Sequence, residues 1–369
     1  MALIWAWGWE IGAGPELYSG DWSLESIDTS VTNTADTTYT DQPADGFGGG
    51  SFVLKTKRAN HVSTPLLFPN GEQTKGAVTF TVFVPSSDSW TNDNNGFILV
   101  NGDGNTLFRV KPVGDSQADS DNLVLAARGN FGAMVSAVSS TAQISTDQWN
   151  TITVRWDAVA TSPPTVYLYI NGDLQGSGQS NGTTSAGSMI PSGIKFGTWN
   201  ESTSGHTWYD HVYWHSDPDT DNFTKKLFIQ GLKLTADVED TTFARSDNDS
   251  QTNLFQNLTG STNAVFITSS DYPPSALFDI QNLSDINAAF NPAIKAVGMI
   301  AMVSGSGDID KAATILKSGG NTVTQSLQTI TNQLEFVTSS FPNTDTAGSA
   351  WTLTTVNALQ IGVFVTGSV

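Results

Sequence analysis

The sequence predicts an all-β protein of two domains, on three observations. Short runs of β-branched and aromatic residues recur along the chain, each bounded by Gly, Asn, Asp or Pro. Two connections, at residues 101–106 and at Asn171-Gly172, have the composition of hairpin turns. Only 14% of the residues are charged and 10% are aromatic, which is typical of β proteins rather than helical enzymes. At 369 residues the chain is long enough to bury two hydrophobic cores.

The strands of the first domain follow one another closely along the chain. In residues 149–156, Ile152, Val154 and Trp156 alternate with Thr and Arg, which indicates a strand with one buried face. Residues 166–170 repeat this alternation and end at the Asn171-Gly172 turn. The predicted strands are 52–55, 77–84, 96–100, 107–111, 123–128, 149–156, 166–170, 194–199, 207–214 and 226–234.

A polar stretch between residues 236 and 253 interrupts this pattern. Ten of the 11 tryptophans precede it, and only Trp351 follows it. We therefore predict a first domain over residues 1–236, a linker over about 237–253 and a smaller β-sandwich over 254–369. In the second domain the predicted strands are 293–303, 312–317, 322–334 and 361–365, with one helical turn in 284–291 and a short helix in 351–360.

Charge and cysteine content exclude several kinds of function. The chain has 16 Lys and Arg against 35 Asp and Glu, a net charge of −19, whereas nucleic-acid binding needs clustered basic side chains. There is no cysteine, so disulfides, thiolate zinc sites and cysteine nucleophiles are absent. The first ten residues lack a basic region, and no apolar run reaches about 18 residues. We expect neither a signal peptide nor insertion in a membrane.

Residues 148–172 resemble the concanavalin A-like (laminin G-like) jelly roll. The segment Gln148–Trp156 is similar to that family's W-x-x-[VI]-x-[VI] strand, and Val166–Gly172 is similar to its V-x-[LV]-[YW]-[VI]-[ND]-G hairpin. Ile194–Gly197 and Tyr209–Trp214 resemble the later strands of the family. The resemblance covers about residues 1–235 and implies a jelly-roll sandwich, a fold that serves lectins, glycosidases, adhesion modules and viral proteins.

A second resemblance concerns the end of the chain. Residues 345–362 are similar to a segment of tailed-bacteriophage virion proteins, D-P-x-T-G-x-x-W-T-x-x-x-[LIV]-N-A-L-[QE]-x-G, although Asn343 and Asp345 depart from its start. In that family the segment makes the last edge of a sandwich. The resemblance implies a virion surface protein, a capsid decoration or a head or tail fibre subunit, made in the host cytoplasm. Its implied partners are other virion proteins and copies of itself, with a trimer favoured by analogy.

Aromatic residues supply the candidate carbohydrate-binding site. Indole rings stack on the apolar faces of sugars, and we predict such a role for Trp199, Trp208 and Trp214, with Asn95 as a polar neighbour. The alternative is packing in the core or against a neighbouring subunit. Aromatic residues at alternate positions occur in any half-buried strand, and this favours the second interpretation. The same interpretation applies to Trp5, Trp7 and Trp9.

Carboxylates at alternate positions suggest a calcium site, although no cofactor is required. Asp217, Asp219 and Asp221 are spaced as in the first half of a calcium loop but lack the central Gly and distal Glu of an EF-hand. Asp115, Asp119 or Asp121 would complete a looser site.

The histidines do not suggest a metal site. On a regular strand His211 and His215 lie on one face about 13 Å apart, too far to share a metal. We predict that they face solvent, beside His206.

The glutamates argue against a glycosidase. The chain has seven, none within five residues of another, and no E-x-D sequence occurs, whereas glycosidases of this fold use closely spaced carboxylates. We therefore predict a binding protein and not an enzyme. The alternatives are a lectin module without a virion role and, third, a secreted glycan-active enzyme.

Overall fold

The computed structural model of the chain divides into two compact units, Leu3–Gln230 and Gly231–Val369. The residues that the structure describes are 3–7, 23–24, 32–35, 52–57, 62–63, 72–84, 96–112, 120–128, 134–159, 164–179, 189–196, 206–215, 234–240, 244–245, 267–268, 275–280, 294, 296–305, 308–332, 335–338 and 344–367. Each unit is built almost entirely of antiparallel strands in this part of the chain.

The strands of the first unit are β1 (Leu3–Trp7), β2 (Ser23–Leu24), β3 (Thr32–Ala35), β4 (Phe52–Lys57), β5 (Val62–Ser63), β6 (Lys75–Phe83), β7 (Phe97–Val100), β8 (Thr106–Pro112), β9 (Ser120–Arg128), β10 (Met134–Ser145), β11 (Trp149–Asp157), β12 (Thr165–Ile170), β13 (Asp173–Gln179), β14 (Gly193–Phe196) and β15 (His206–His215).

Within these described residues the strands form two sheets. The first sheet runs β13-β12-β11-β6-β15-β4-β3, with β1 also pairing with β15, and the second runs β10-β9-β8-β7-β14-β5-β2. Some strands that pair in a sheet are distant in sequence, such as β6 and β15. The chain therefore crosses between the two sheets, as it does in a jelly roll. The prediction of a jelly-roll sandwich for the first domain is confirmed.

An aromatic cluster fills the space between the two sheets. Phe80 of β6 stacks on Phe97 of β7 with the ring centroids 4.6 Å apart, and Phe196 of β14 lies 4.6 Å from Tyr209 of β15. The Tyr209 hydroxyl donates to the Gly96 carbonyl at 2.6 Å, and burial raises the pKa of Tyr209, which keeps it a donor.

This cluster also fixes which way each strand faces. Because Phe80 points at the second sheet and side chains alternate along a strand, the odd-numbered residues of β6 point away from it. We call this opposite side of the first sheet the outer face.

Both predicted hairpin turns are confirmed. Asn171 and Gly172 have φ angles of 51° and 95°, the left-handed values that a type I′ turn between β12 and β13 requires. At the other turn the Asn101 Oδ1 accepts from the backbone N–H groups of Asp103 at 3.1 Å and Asn105 at 2.8 Å. These bonds hold the connection between β7 and β8 in place.

Two glycines let the edges of the two sheets meet. A methyl group on Gly178 of β13 would lie 2.1 Å from the carbonyl oxygen of Ala137 in β10, and one on Gly176 would lie 3.2 Å from Val138. Only glycine permits so close an approach of two backbones. Neither β10 nor β13 is among the predicted strands, and their contact closes the sandwich beside β12.

The elements of the second unit are β16 (Leu234–Asp240), β17 (Ala244–Arg245), β18 (Ile267–Thr268), β19 (Ser275–Ile280), β20 (Ile300–Val303), β21 (Ile309–Ser318), β22 (Asn321–Thr324), β23 (Gln328–Thr329), β24 (Glu335–Thr338), α1 (Leu353–Asn357) and β25 (Gln360–Gly367).

The second unit is the smaller β-sandwich that the sequence predicts. Its main sheet runs β16-β19-β25-β21-β22, with β23 also on β21. The pair β20–β24 packs on that sheet through Ala312, Ile330 and Val337. A second cluster joins Trp351, Val356 and Leu359, around α1, to Ile280 and Leu316 of the sheet.

The end of the chain folds as a turn, a helix and a strand. Asp345 Oδ1 accepts from the N–H groups of Ala347 and Ser349 at 3.0 and 2.9 Å. Thr352 caps α1, with Thr355 completing a capping box, so the predicted short helix is confirmed. The final strand β25 lies between β19 and β21, not at the edge that the phage resemblance implies.

Four other expectations in the second unit differ or lie outside the described residues. The single strand predicted over 322–334 is replaced by two short strands, β22 and β23. Residues 237–240, assigned to the linker, belong to β16, which pairs with β19 of the second unit. Among the described residues of the predicted strand 293–303, which are 294 and 296–303, Ile300–Val303 form a strand and the others do not. The expected turn in 284–291 lies outside the described residues. In the described ranges, no helix has the length and hydrophobicity to cross a bilayer.

Candidate functional site

Threonines form the centre of the outer face of the first sheet. Thr79 and Thr81 of β6 lie directly opposite Thr153 and Thr151 of β11, and all four side chains are buried. The Thr79 and Thr153 hydroxyls are 2.8 Å apart and share a hydrogen bond. Thr81 Oγ1 donates to the Asp210 carbonyl of β15 at 2.9 Å. These hydroxyls therefore tie β6 to both of its neighbours.

A β-bulge interrupts β15 beside these threonines. Asp210 pairs with Thr81 and Tyr213 pairs with Thr79, so β15 contains one residue more than β6 between those positions. His211 has a φ of 49°, the left-handed region, and its N–H donates to Asp210 Oδ1 at 2.7 Å. The bulge lies where β15 exchanges β4 for β1 as its neighbour. We infer that it accommodates this change of partner.

The bulge corrects the prediction for the histidines. His211 and His215 are buried, not facing solvent, and the extra residue ends the regular spacing that placed them on one face. His211 Nε2 lies 3.5 Å from Asp210 Oδ2. His215 packs edge-on against Tyr213, with the centroids 5.2 Å apart, and burial lowers its pKa to about 3. The His215 imidazole is therefore neutral at physiological pH.

The half-exposed end of the outer face lies on β11, β12 and β13. Arg155 of β11 lies directly opposite Tyr167 of β12, with its guanidinium carbon 4.7 Å from the centre of the tyrosine ring. Tyr167 pairs with Ser177 of β13, and Tyr169 pairs with Leu174, which is 55% exposed. We call Arg155, Tyr167, Tyr169, Leu174 and Ser177 the tyrosine patch.

The tyrosine patch is absent from the residues predicted above, although its pattern is visible in the chain. In residues 166–170, Val166, Leu168 and Ile170 are buried and the two tyrosines between them are half-exposed. Alternation assigns the tyrosines to the outer face. Arg155 occupies the equivalent outward position on β11, so the three side chains could have been grouped once the pairing of β11 with β12 was inferred.

Two of the predicted carbohydrate-binding tryptophans are core residues in this structure. Trp214 is fully buried, and Trp208 is 6% exposed and packs on Phe83 with centroids 5.9 Å apart. Neither indole presents a ring face to solvent, which is what stacking on a sugar requires. Core packing, the alternative weighed for these residues, describes both of them.

The remaining predicted site residues lie outside the described residues. They are Trp199, Asn95, Asp217, Asp219, Asp221, Asp115 and Asp119. Asp121 lies in β9. Within the part of the chain that is described, no three His, Asp or Glu side chains are grouped so as to hold a metal ion. The calcium site stays a prediction.

The carboxylates described on the outer face are far apart. Asp157 lies opposite Lys75 and forms a 3.2 Å ion pair with it, whereas Asp210 lies opposite Thr81. Six residues of β6 separate these positions, which corresponds to about 20 Å along the strand. A glycosidase pair needs about 5–10 Å. These two carboxylates therefore cannot act together on one glycosidic bond.

A protein-family model matches part of the first unit. Residues 58–205 match the family model described as the concanavalin A-like lectin/glucanases superfamily. No curated protein sequence matches the chain.

The solved structures to which this chain is similar have low sequence identity to it. The globular domain of T. cruzi calreticulin is 11% identical, covering 58% of this chain and 88% of its own, with a TM-score of 0.38. Domain 4 of the arabinanase AbnA from Geobacillus stearothermophilus, solved with arabinotriose, is 12% identical, with 58% and 91% covered and a TM-score of 0.38. The receptor binding domain of botulinum neurotoxin type G is 11% identical, with 90% and 79% covered and a TM-score of 0.35.

The fold of the first unit rests on the family match and on the order of the strands. The superfamily's description names both lectins and glucanases, so the match does not separate binding from catalysis. The two facing antiparallel sheets show that the first unit has a jelly-roll fold, and residues 58–205 within it are similar to the concanavalin A-like lectin/glucanases superfamily.

Proposed function

We propose that the chain is a non-catalytic, carbohydrate-binding surface protein of a bacteriophage particle. Its first unit binds a glycan at the tyrosine patch, and its second unit associates with other virion proteins. The observation that carries the binding function is the tyrosine patch itself. The patch is the half-exposed end of the outer face. The centre of that face, formed by Thr79, Thr81, Thr151 and Thr153, is buried.

The chemistry of the tyrosine patch suits a sugar. Tyr167 and Tyr169 stand two residues apart on one face of β12, about 7 Å along the strand, so that neighbouring rings of a glycan chain can each contact one phenol. Hydroxyl and amide groups border them, since Gln179 Nε2 donates to Thr165 Oγ1 at 3.3 Å on the exposed side of the adjoining strand ends. An amphipathic glycan needs both kinds of contact.

Removing one tyrosine ring tests the binding function. In a glycan-array or calorimetric titration, we expect Tyr167→Ala and Tyr169→Ala each to weaken binding about tenfold, since a stacked ring contributes roughly 1–1.5 kcal/mol. Tyr→Phe at either position keeps the ring and should lose much less. Val159→Ala, at a 64% exposed position outside the tyrosine patch, is the matched control. If both Ala variants bind as tightly as the parent protein, the glycan lies elsewhere.

The virion role rests on the resemblance of residues 345–362 to phage virion proteins. Within the proposal the protein assembles as a homo-oligomer, a trimer by analogy. Antibody labelling of purified particles in the electron microscope tests it. Label at regular capsid positions would support a decoration protein, and label at the tail would support a fibre subunit. Unlabelled particles would leave the alternative, a free lectin module.

A glycan-active enzyme is the third hypothesis. Among the described residues, the distance between Asp157 and Asp210 on the outer face disfavours a hydrolase that works by a carboxylate pair. The same titrations address this point, because an enzyme would shorten the glycan. Release of new reducing ends during incubation would contradict the non-catalytic proposal.

A further inference from the structure

We propose that β22 is an interaction surface at which two copies of this chain pair edge to edge, so that the main sheet of the second unit continues from one copy into the other. Such pairing requires neither a glycan nor a virus particle, so it goes beyond the proposed function. The exposure of β22, the direction of its backbone groups, the order of its side chains and its lack of charge support it.

The strand β22 is an open edge of that sheet. It comes last in the order β16-β19-β25-β21-β22, and among the described strands only β21 pairs with it. All four of its residues, Asn321–Thr324, are exposed. Proteins commonly protect such an edge with charged residues, prolines or bulges. Although β22 is short, it contains no charge and no proline, and its pairing with β21 has no bulge.

The backbone groups that point out of this edge belong to Thr322 and Thr324. The Gln325 N–H donates to the Thr314 carbonyl of β21 at 2.9 Å, and the N–H and C=O groups of successive residues alternate between the two sides of an antiparallel strand. Val323, two residues before Gln325, therefore also directs its backbone groups at β21. The backbone groups of the two threonines face the open side, where they can bond to another strand.

The residues around Val323 have a symmetric order that suits a second copy of the same strand. An amide, a threonine, a valine, a threonine and an amide follow one another in Asn321–Gln325. In an antiparallel pair with a two-fold axis at Val323, each Thr322 lies opposite Thr324 of the second copy, and the two exchange N–H···O=C bonds. The valines then face each other across the axis, and threonine opposite threonine is a favourable cross-strand pair.

Charge favours a second copy at this edge and not at the other end of the same sheet. The chain has a net charge of −19, yet residues 318–334 contain no charged side chain. The sequence of β16, at the opposite end, contains Asp237, Glu239 and Asp240, and like charges that face each other across two strands are destabilising. Two copies of this acidic chain can therefore pair through β22 without bringing carboxylates together, whereas pairing through β16 would do so.

A single introduced cysteine tests the pairing and its register, because the chain contains no cysteine of its own. In the proposed pair the Val323 Cα atoms of the two copies lie about 4.5 Å apart, within the range that a disulfide spans. We expect Val323→Cys to form a covalent dimer under mild oxidation at least tenfold faster than Val238→Cys. The latter is the matched control, since Val238 is 40% exposed on β16 and Val323 is 39% exposed. Thr322→Cys mixed with Thr324→Cys should cross-link faster than either variant alone, because these positions face each other.

Sedimentation equilibrium of the intact chain measures the contact without a cross-link. A short edge buries little area, so we expect a dimer that dissociates on dilution. Val323→Lys should weaken it at least tenfold, because it places two ammonium groups opposite each other, and Val238→Lys should leave it unchanged. Thermal melts show whether each variant is folded.

Three results would overturn the pairing. One is equal cross-linking of Val323→Cys and Val238→Cys, and another is a parent chain that stays monomeric at every concentration. The third is an assembly that Val323→Lys leaves intact. If that assembly is a trimer, it would support the trimer proposed above and show that β22 does not form it. Glycan binding at the tyrosine patch is measured separately, so loss of the pairing would leave that proposal standing.

Discussion

Replacing Trp156 with alanine is expected to lower the free energy of unfolding of the first unit by about 3–5 kcal/mol. The indole is fully buried between the two sheets, and its Nε1 donates to the Gln73 carbonyl at 2.7 Å. It packs so closely on β6 that a methyl group on Gly76 would lie 2.3 Å from the ring. Alanine would therefore leave a cavity and a carbonyl without its donor.

Denaturant titration measures this effect in the intact chain. Ten of the 11 tryptophans lie in the first unit, so indole fluorescence reports mainly on that unit. Trp156→Phe keeps most of the apolar volume and should cost about 1–2 kcal/mol. Val159→Ala, just beyond the same strand and 64% exposed, should stay within about 0.5 kcal/mol of the parent. A loss below about 1 kcal/mol in Trp156→Ala would contradict the packing described here.

The strands that the sequence predicts well are those with a strong alternation of apolar and polar residues. In β12 every second side chain is buried, and in β11 the apolar Ile152, Val154 and Trp156 alternate with polar residues, so periodicity alone identifies both strands. Thr151 and Thr153 of β11 are buried as well, so the expectation of one buried face does not hold for that strand. The strands β10 and β13 carry mostly Ser, Ala, Gly and Gln, and no such pattern marks them. Their place is fixed by the close approach of Gly178 to Ala137, which is a tertiary contact.

The candidate site was harder to predict because two facts about it are not local in sequence. One extra residue in β15, at His211, changes which later side chains share the outer face, and no residue type announces a bulge of this kind. The second fact is which aromatic residues are buried when the chain folds. Trp208 and Trp214 are buried while Tyr167 and Tyr169 are half-exposed, although indole rings are the stronger sugar-stacking candidates by residue type.

Acidification is expected to destabilise the first unit through His215. Burial lowers the pKa of His215 to about 3 in the folded chain, whereas an unfolded histidine titrates near 6.5. Between these values the unfolded chain binds a proton that the folded chain does not. The contribution of neutral His215 to the free energy of unfolding is therefore complete above about pH 6.5 and declines as the pH falls towards 3. From pH 7 to pH 5 the loss from this residue is about 2 kcal/mol.

The variant His215→Gln isolates this contribution because glutamine has no proton to gain. Its stability at pH 7 is itself altered, since the side chain at 215 is buried, and the informative quantity is therefore the change between pH 7 and pH 5. We expect that change to be about 2 kcal/mol smaller in the variant than in the parent chain. Calorimetry adds an internal control, because residues 231–369 contain no histidine and their transition should shift equally in both proteins. Parallel pH profiles for the first unit would show that a buried, neutral His215 does not govern its acid stability, and the packing of that imidazole against Tyr213 would then need revision.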